Sequence, residues 1–274
     1  MWGCFPIYWA LLNHVSPSEV LVHRMLWSVP VLFLLVYSKP SWRMNFKESL
    51  SSKKELVFLF ITAILITINW GGYILAVNLG RVVEASMGYF LSPVINMIGG
   101  YLFFHERISK LKQLAVLFAT VGALYYVFSG DSFPWLGFLV GFTFSAYGIA
   151  RKAMSSSAVP GLYIETLILL PFFLIFSIWF YANFDIAFFN VDIPTDILLF
   201  LAGAVTVVPL ALFNAGAKLL PMTTVGILFL ITPTLQFLVG YYLQNEAVNT
   251  NQLLGFIGVW TGLIMYSYGL IKEK

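Results

Sequence analysis

The sequence contains few charged residues for its length. Of its 274 residues, 10% are Asp, Glu, Lys or Arg, whereas an average soluble domain has about 25%. So few charges cannot cover a soluble globule, and apolar residues make up 60% of the chain, with a mean hydropathy of +0.88. The composition excludes an ordinary soluble domain. It predicts an all-α polytopic membrane protein, because helices satisfy their own backbone groups within lipid.

Other scarce residues exclude several kinds of site. Cys4 is the single cysteine, which excludes an intramolecular disulfide and a cysteine-rich metal site. The three histidines are scattered and no G-x-x-x-x-G-K-[ST] loop is present, so we expect no metal, no cofactor and no ATP hydrolysis. The net charge is +3 and the basic residues are dispersed, which argues against nucleic acid as a partner.

Ten apolar stretches predict ten transmembrane helices. A hydrocarbon core takes about 20 helical residues to cross, and eight stretches are uncharged and reach or approach that length. A ninth contains His23 and Arg24, and the first is short, so we expect an incomplete first helix. In chain order the stretches are 1–13, 20–37, 56–79, 85–104, 113–130, 132–150, 166–184, 197–217, 219–245 and 247–271.

Basic residues mark one side of the membrane. Lys and Arg favour cytoplasmic loops, and thirteen of the fifteen lie in alternate connections or at the C-terminus. Acidic residues gather in the opposite connections, so we predict that both termini are cytoplasmic. The thirteen are Lys39, Arg43, Lys47, Lys53, Lys54, Arg107, Lys110, Lys112, Arg151, Lys152, Lys218, Lys272 and Lys274.

The two halves of the chain resemble each other when the sequence is shifted by 140 residues. The shift pairs 84–126 with a later segment without a gap and matches Pro93 with Pro233, among seven identities in 43 positions. Each repeat would cross the membrane five times. Because five is an odd number, the second repeat begins on the opposite side of the membrane from the first, as in many secondary transporters. We therefore predict inverted repeats at 1–130 and 131–274. A chance likeness between apolar helices is the alternative.

Several motifs resemble those of the RarD family, in the EamA branch of the drug/metabolite transporter superfamily. They are His23-Arg24-Met25-Leu26-Trp27-Ser28, Asn69-Trp70, Glu84-Ala85-Ser86-Met87-Gly88-Tyr89-Phe90-Leu91-Ser92-Pro93 with Asn96, Tyr147-Gly148 with Arg151-Lys152, Pro209, and Thr232-Pro233-Thr234 ending at Glu246. The resemblance implies a ten-helix carrier of the bacterial inner membrane, built from two EamA repeats. It also implies export through a cavity that opens alternately to each side.

Five ionisable residues are candidates for special roles. Arg24 lies within a predicted span, at a cost of about 2.5–3.5 kcal/mol on insertion scales, and Glu165 is its counterpart at a shift of 141. We expect the two to meet, with Arg24 binding a carboxylate of the solute and Glu165 coupling transport to protons; a structural ion pair is the alternative. Glu84 is a gating candidate or a partner of the helix dipole. Glu106 and Glu246 are expected to cap the helices that follow them.

Polar and aromatic residues recur at helical spacing within the spans, which predicts a solute-binding cavity. The alternative is hydrogen bonding between helices, worth about 0.6 kcal/mol on average. The candidate binding residues are Asn69, Tyr73, Tyr89, Asn96, Asn214, Phe229 and Gln236. The candidate helix kinks are Pro93, Pro209 and Pro233.

These features favour a secondary active transporter that exports a small organic solute such as an amino acid, a metabolite or a drug-like compound, with proton coupling. Its partners would be that solute and the lipid bilayer. A non-transporting membrane scaffold or lipid-handling protein is the alternative, followed by an intramembrane enzyme. Gly258 and Gly262 allow close helix packing, either within the chain or in a homodimer.

Overall fold

The computed structural model describes residues 1–79, 88–128, 135–243 and 250–272, and these contain helices and their connections but no strand. Short 3₁₀ turns occur at Trp2–Cys4 and Gly88–Leu91. The α-helices, in chain order, are α1 Phe5–Ala10, α2 Pro17–Ser38, α3 Pro40–Ser51, α4 Lys53–Asn78, α5 Ser92–Phe104, α6 Lys110–Phe128, α7 Trp135–Ala153, α8 Ala158–Asn183, α9 Ile193–Leu219, α10 Met222–Phe229, α11 Ile231–Leu243 and α12 Thr250–Lys272.

Six segments of the described chain are long and apolar enough to cross a membrane. This confirms the helical, polytopic membrane class. The number of ten helices, their inversion and the side on which the termini lie stay predictions. The six segments are Pro17–Ser38, Lys53–Tyr73, Ala158–Asn183, Ile193–Leu219, Met222–Val239 and Leu253–Lys272, and Gly88–Phe104 is a shorter apolar segment.

The helices group into two compact units by their contacts. The units are defined by contact and the repeats by sequence likeness, so the division into 1–130 and 131–274 stays a prediction. Unit 1 consists of Met1–Ile7, Ile66–Ile149 and Leu219–Lys274, and unit 2 consists of Tyr8–Leu65 and Ala150–Lys218.

Helix α8 begins earlier than the sequence predicts. The predicted span starts after Glu165, because a charge marks a boundary in a hydropathy pattern, whereas α8 begins at Ala158. Ser157 precedes it in an extended conformation, and Pro160 lies in the first turn, where a missing N–H removes no helical hydrogen bond. Glu165 therefore does not open the helix but lies two turns inside it.

A proline accounts for an interruption within the predicted span 219–245. Helix α10 ends at Phe229 and α11 begins after Leu230. Pro233 has no N–H to donate to the carbonyl four residues earlier, which is that of Phe229. The chain therefore changes from one helix to the next one turn before Pro233.

Pro93 lies at the start of a helix rather than in the middle of one, which corrects the expected kink. It is the second residue of α5 and follows the 3₁₀ turn Gly88–Leu91. The first turn of a helix does not use its N–H groups, so proline is tolerated there. The 140-residue shift pairs this start with the interruption near Phe229. Pro209 lies inside α9, where its effect on the helix direction stays a prediction.

Small residues bring α6 and α12 together in unit 1. A Cβ atom on Gly122 would lie 2.6 Å from the carbonyl oxygen of Gly255, and one on Gly262 would lie 2.5 Å from that of Ala115. Gly258 also packs against Gly122. The face that carries Gly258 and Gly262 is therefore covered by α6 of the same chain, and a homodimer through these glycines would have to displace α6.

Candidate functional site

Four aromatic rings converge in unit 1, each from a different segment. Trp2 comes from the N-terminal 3₁₀ turn, Tyr89 from the turn before α5, Phe144 from α7 and Phe229 from the end of α10. The ring centroids of Phe144 and Phe229 lie 5.0 Å apart, and Tyr89 lies 5.4 Å from Phe229. Trp2 lies 5.5 Å from both phenylalanines. The helix ends near Tyr89 and Phe229 therefore bring two residues predicted to bind the solute into one cluster.

Among the described residues of unit 1, three neutral buried side chains each have a polar atom without a hydrogen-bond partner. The atoms are Ser92 Oγ, Asn96 Oδ1 and Ser145 Oγ, and each of these residues is at most 2% exposed. Ser92 and Asn96 are one turn apart on α5 and so share a face. Most buried polar groups in proteins are paired, and leaving one unpaired costs about 1–3 kcal/mol. Unit 2 also has such atoms, on Ser156 and Arg151, so the feature that sets the three in unit 1 apart is their position.

Glycine contacts place these three residues at one level of unit 1. Gly88 before α5 packs against Gly141 of α7, and Gly99 further along α5 packs against Ile149 further along α7. The two helices therefore run in the same direction. On α7, Ser145 lies between Gly141 and Ile149. Ser92 and Asn96 lie between Gly88 and Gly99 on the neighbouring segment, so the three residues are at a similar level. A third helix, α10, reaches the same level, because a Cβ on its Gly226 would lie 3.1 Å from Asn96 Cβ.

The other predicted binding residues of unit 1 hold its segments together. Asn69 donates through Nδ2 to the Val140 carbonyl at 2.8 Å and to Thr143 Oγ1 at 3.3 Å, which joins α4 to α7. Tyr73 packs on a small apolar cluster around Val140. Gln236 donates through Nε2 to the Trp2 carbonyl at 3.4 Å. These contacts match the alternative interpretation, hydrogen bonding and packing between helices.

Arg24 lies half-buried in unit 2 and has two described contacts. Its Nε donates to Thr206 Oγ1 at 2.9 Å, and its guanidinium carbon lies 5.2 Å from the centre of the Trp9 ring. Thr206 in turn donates to the Ala202 carbonyl at 2.8 Å. Asn214, also on α9, is completely buried.

Arg24 does not meet Glu165, which corrects the expected pair. His23, beside Arg24, lies 3.1 Å from the Tyr181 hydroxyl near the end of α8. Glu165 is on the same helix, about 24 Å from Tyr181 at 1.5 Å per residue. The predicted inversion would place the counterparts of a repeat at opposite depths, so sequence equivalence is no guide to contact between them.

The described charged partner of Glu165 is Arg151. Nη1 of Arg151 lies 3.4 Å from Glu165 Oε1, and both side chains are buried, at 0% and 1% exposure. Thr62 donates to the same carboxylate oxygen at 2.6 Å. Nη2 of Arg151 also donates to the Ser157 carbonyl at 3.1 Å. Gly161 lies directly against the guanidinium, and a Cβ there would be 2.7 Å from Nη2.

Carboxylates from other helices hold the two connections that flank α8. Glu55 accepts hydrogen bonds from the backbone N–H groups of Ser155 and Ser156, each at 3.0 Å. Glu19 accepts from Ala187 at 2.9 and 3.0 Å and from Phe188 at 2.9 Å. Glu19 is 1% exposed and Glu55 is 8% exposed. Each buried charge is therefore bonded to backbone donors that a tight connection would otherwise leave unpaired.

Asp192 lies just before α9, outside the membrane-crossing segments. The hydroxyl and the backbone N–H of Thr195 donate to its carboxylate and lower the pKa of Asp192 below its ordinary value. The backbone bond is 2.8 Å long. Thr195 Oγ1 also lies 3.0 Å from His14 Nε2, so this connection is hydrogen-bonded to the segment before α2.

Sequence reasoning missed Arg151 and misplaced Glu106. Arg151 was grouped with the loop charges, but it follows Tyr147 by one turn on α7, and Tyr147 is completely buried. Arg151 lies on the same buried face of α7 as Tyr147, so extending that face by one turn would have identified Arg151.

Glu106 Oε1 accepts a hydrogen bond from the N–H of Met222 at 2.9 Å. Glu106 therefore caps α10 and not α6, the helix that follows Glu106 in the chain. Glu84 and Glu246 lie outside the described residues. Among the described residues, no group of three or more His, Cys, Asp or Glu could hold a metal ion.

An all-helical chain with six apolar segments of membrane-spanning length and a buried Arg–Glu pair is a polytopic membrane protein. Residues 1–128 match the model of the EamA-like transporter family. The chain is 36% identical to an uncharacterized transporter of Bacillus subtilis, YojE, over 100% of this chain and 92% of the relative. It is 32% identical to protein RarD of Escherichia coli, over 97% and 90%. The chain therefore belongs to the RarD family of the drug/metabolite transporter superfamily, which confirms the resemblance seen in its motifs.

A solved crystal structure shares this fold. It aligns with 97% of this chain and 93% of its own, with a TM-score of 0.72 and 14% sequence identity. At that identity the likeness concerns the fold alone. The names of the relatives and of the family make this chain a membrane transporter by class.

Proposed function

We propose that this chain is a secondary active transporter that exports a small organic solute across the bacterial inner membrane by alternating access. The observation that carries the proposal is the set of buried polar atoms without partners in unit 1, on Ser92, Asn96 and Ser145. Family membership supports transport in general, and the direction follows from the family resemblance. The site in unit 1 is the part that rests on this chain's own residues.

Unpaired buried polar atoms suit a molecule that binds and leaves. Each costs about 1–3 kcal/mol while it lacks a partner, and a solute that supplies hydrogen bonds removes that cost during its passage. Trp2, Tyr89, Phe144 and Phe229 add apolar ring faces nearby. A mixed apolar and hydrogen-bonding site of this kind fits amino acids, metabolites and drug-like compounds.

Glu165 is the proposed coupling residue. An ionisable residue inside a membrane helix is expensive and is by default a candidate for function. Protonation of Glu165 would remove its charge and weaken its contact with Arg151, 3.4 Å away. A proton that binds and leaves there would therefore shift the balance between two conformations of unit 2. Arg24, half-buried beside Thr206, stays the proposed anchor for a solute carboxylate.

The helix interruptions support a chain that changes conformation. The 3₁₀ turn Gly88–Leu91 and the break at Leu230 each place a non-α-helical step next to a residue of the aromatic cluster. Irregular backbone at membrane depth is tolerated where it is buried in protein or lines a cavity. Small changes in backbone angle at these steps would move Tyr89 and Phe229 relative to the polar atoms.

Transport by purified protein in proteoliposomes tests the proposal. Solutes are first selected by the thermal shift that they cause in the wild-type protein, and their efflux is then measured with and without a pH gradient. We expect Asn96→Ala and Ser92→Ala to weaken solute binding about tenfold, one lost hydrogen bond each. Ser267→Ala is the matched control, because Ser267 is exposed and bonds its own helix at the Leu263 carbonyl.

The coupling step has a separate readout. We expect Glu165→Gln to abolish the response of efflux to the pH gradient while exchange of solute across the membrane continues. Efflux that still responds to the gradient in Glu165→Gln would contradict the coupling role. Wild-type binding and transport in both Asn96→Ala and Ser92→Ala would contradict the site in unit 1.

A further inference from the structure

Helix α3 lies where lipid headgroups must be. It is joined to α2 by Lys39 alone and to α4 by Ser52 alone. Both α2 and the first part of α4 are long and apolar enough to cross the membrane. Single-residue connections hold the two ends of α3 at the ends of two spans, so its twelve residues lie in the interfacial layer. From sequence alone, this segment is a connection between two predicted spans.

One face of α3 is fixed to the start of α8 within unit 2. Asn45 Oδ1 accepts a hydrogen bond from the N–H of Ser157 at 2.7 Å. The ring of Phe46 lies 5.3 Å from that of Tyr163, and Ser49, one turn from Asn45, is 3% exposed. These residues recur at helical spacing, so they set which face of α3 points away from the protein.

The exposed side of α3 carries a line of basic residues. Lys39, Arg43 and Lys47 are four residues apart, a spacing that aligns side chains along a helix, and all three are exposed. Lys39 Nζ lies 4.4 Å from the centre of the Trp42 ring. Within the described part of the chain, neither Arg43 nor Lys47 has an ionic partner. The line therefore presents two cations without an ionic partner among the described residues, next to Lys39 on the Trp42 ring.

Apolar side chains stand beside these cations. Met44 is 61% exposed and Leu50 is 43% exposed. In water such exposure is unfavourable, but at a membrane surface both side chains would meet the outer part of the acyl chains. The combination of cations, exposed apolar side chains and a position between two spans fits a phospholipid surface.

We propose that Lys39, directly before α3, and Arg43 and Lys47 of α3 form a binding site for the headgroups of anionic phospholipids. The phosphates of phosphatidylglycerol would pair with the three cations, while Met44 and Leu50 reach the acyl boundary. A basic residue near an anionic leaflet contributes measurably to binding, and the contributions add over neighbouring residues. The site stands apart from the solute site and does not depend on the transport activity.

Lipid binding by the full chain in nanodiscs tests the proposal. Nanodiscs contain phosphatidylcholine alone or with phosphatidylglycerol, and bound lipid is counted by native mass spectrometry alongside the thermal unfolding midpoint. The variant is Lys39→Gln/Arg43→Gln/Lys47→Gln. The control, Arg107→Gln/Lys110→Gln/Lys272→Gln, removes the same charge from exposed residues elsewhere. We expect the variant to lose about tenfold or more in phosphatidylglycerol affinity, and the control to keep it.

Two further variants keep the test decisive. Lys39→Arg/Arg43→Lys/Lys47→Arg retains the charges and should bind phosphatidylglycerol as the wild type does. If the triple Gln variant does not fold, Arg43→Gln and Lys47→Gln alone should each show a partial loss. Retained affinity in the folded triple or single variants, or an equal loss in the control, would overturn the proposal. So would equal binding of phosphatidylcholine and phosphatidylglycerol by the wild type.

Discussion

The buried carboxylates of unit 2 and three buried neutral side chains of unit 1 differ in how their polar atoms are paired. In unit 2, Glu165 meets Arg151 and Thr62, and Glu19 and Glu55 each accept hydrogen bonds from backbone groups of a connection beside α8. In unit 1, the neutral side chains of Ser92, Asn96 and Ser145 each have a buried atom without a hydrogen-bond partner among the described residues. The first arrangement compensates buried charge within the fold, and the second leaves neutral atoms that fit the proposed solute site.

The chemistry of the two sets explains the difference. A buried charge without a partner costs several kcal/mol, so charged residues within membrane helices are paired or face water. A neutral hydroxyl or amide costs about 1–3 kcal/mol when unpaired, which a folded protein can tolerate at a few places. Removal of one partner from the paired groups of unit 2 should therefore cost more stability than removal of an unpaired hydroxyl in unit 1.

The largest expected effect is in unit 2. Arg151→Met would leave the Glu165 carboxylate buried without its cation, and we expect a loss of about 3–5 kcal/mol in the free energy of unfolding. Unfolding in mixed micelles measures it. Arg151→Met/Glu165→Gln should recover a large part of the loss, because it removes the stranded charge. A double variant whose loss equals the sum of the two single losses would show that the pair does not act as a unit.

A smaller effect of opposite sign is expected in unit 1. Ser92→Ala and Ser145→Ala remove hydroxyls that have no partner, so each should raise the free energy of unfolding by up to about 1 kcal/mol. Ser177→Ala in unit 2 is the matched control, because this buried hydroxyl donates to the Phe173 carbonyl at 2.5 Å. Ser177→Ala should lower the free energy of unfolding, because it removes that hydrogen bond. If all three substitutions shifted stability in the same direction, the contrast between the units would be wrong.

The smallest effect concerns Asp192, whose carboxylate is fully exposed. Hydrogen bonds from Thr195 lower the pKa of Asp192 below its ordinary value of 3.8. A lowered pKa in the folded state favours folding above the ordinary value, and this contribution is lost as the pH falls through the lower folded value. We expect Asp192→Asn to unfold slightly earlier than wild type at pH 7. The difference in unfolding midpoint between the two proteins should shrink as the pH falls below 4 and stay small at lower pH. A difference that grows on acidification would contradict this prediction.

Composition and motifs were enough to predict the class and the family, but not the depth of the charges. Scarce charges indicated the membrane, and the block around Tyr89 and Pro93 indicated the family. The boundary of α8 was missed because Glu165 interrupts the hydropathy pattern, although its contacts with Arg151 and Thr62 make it compatible with a helix interior. A sequence does not show which distant residue will meet a charge.

The candidate site was only partly predictable, because a sequence shows which residues are polar but not which partners they meet. Tyr89, Asn96 and Phe229 were singled out by their helical spacing, and Tyr89 and Phe229 do meet in one aromatic cluster. Asn69 had the same kind of signal, yet it bonds α7 through the Val140 carbonyl. Spacing shows which face of a helix is polar, whereas only the packing decides whether a partner from another helix is already there. Helix α3 was missed because hydropathy averaged over a charged segment is low, even when the segment forms a short interfacial helix.

The contact between Gly161 and Arg151 links two positions that are ten apart in sequence. Any side chain at position 161 would overlap the guanidinium of Arg151. A larger residue at 161 therefore requires either that the guanidinium shifts away from its contacts with Glu165 and the Ser157 carbonyl or that 151 carries a smaller residue. Relatives that carry Ala or Ser at position 161 should carry a residue other than Arg at 151. An alignment of the family would then show these two columns varying together.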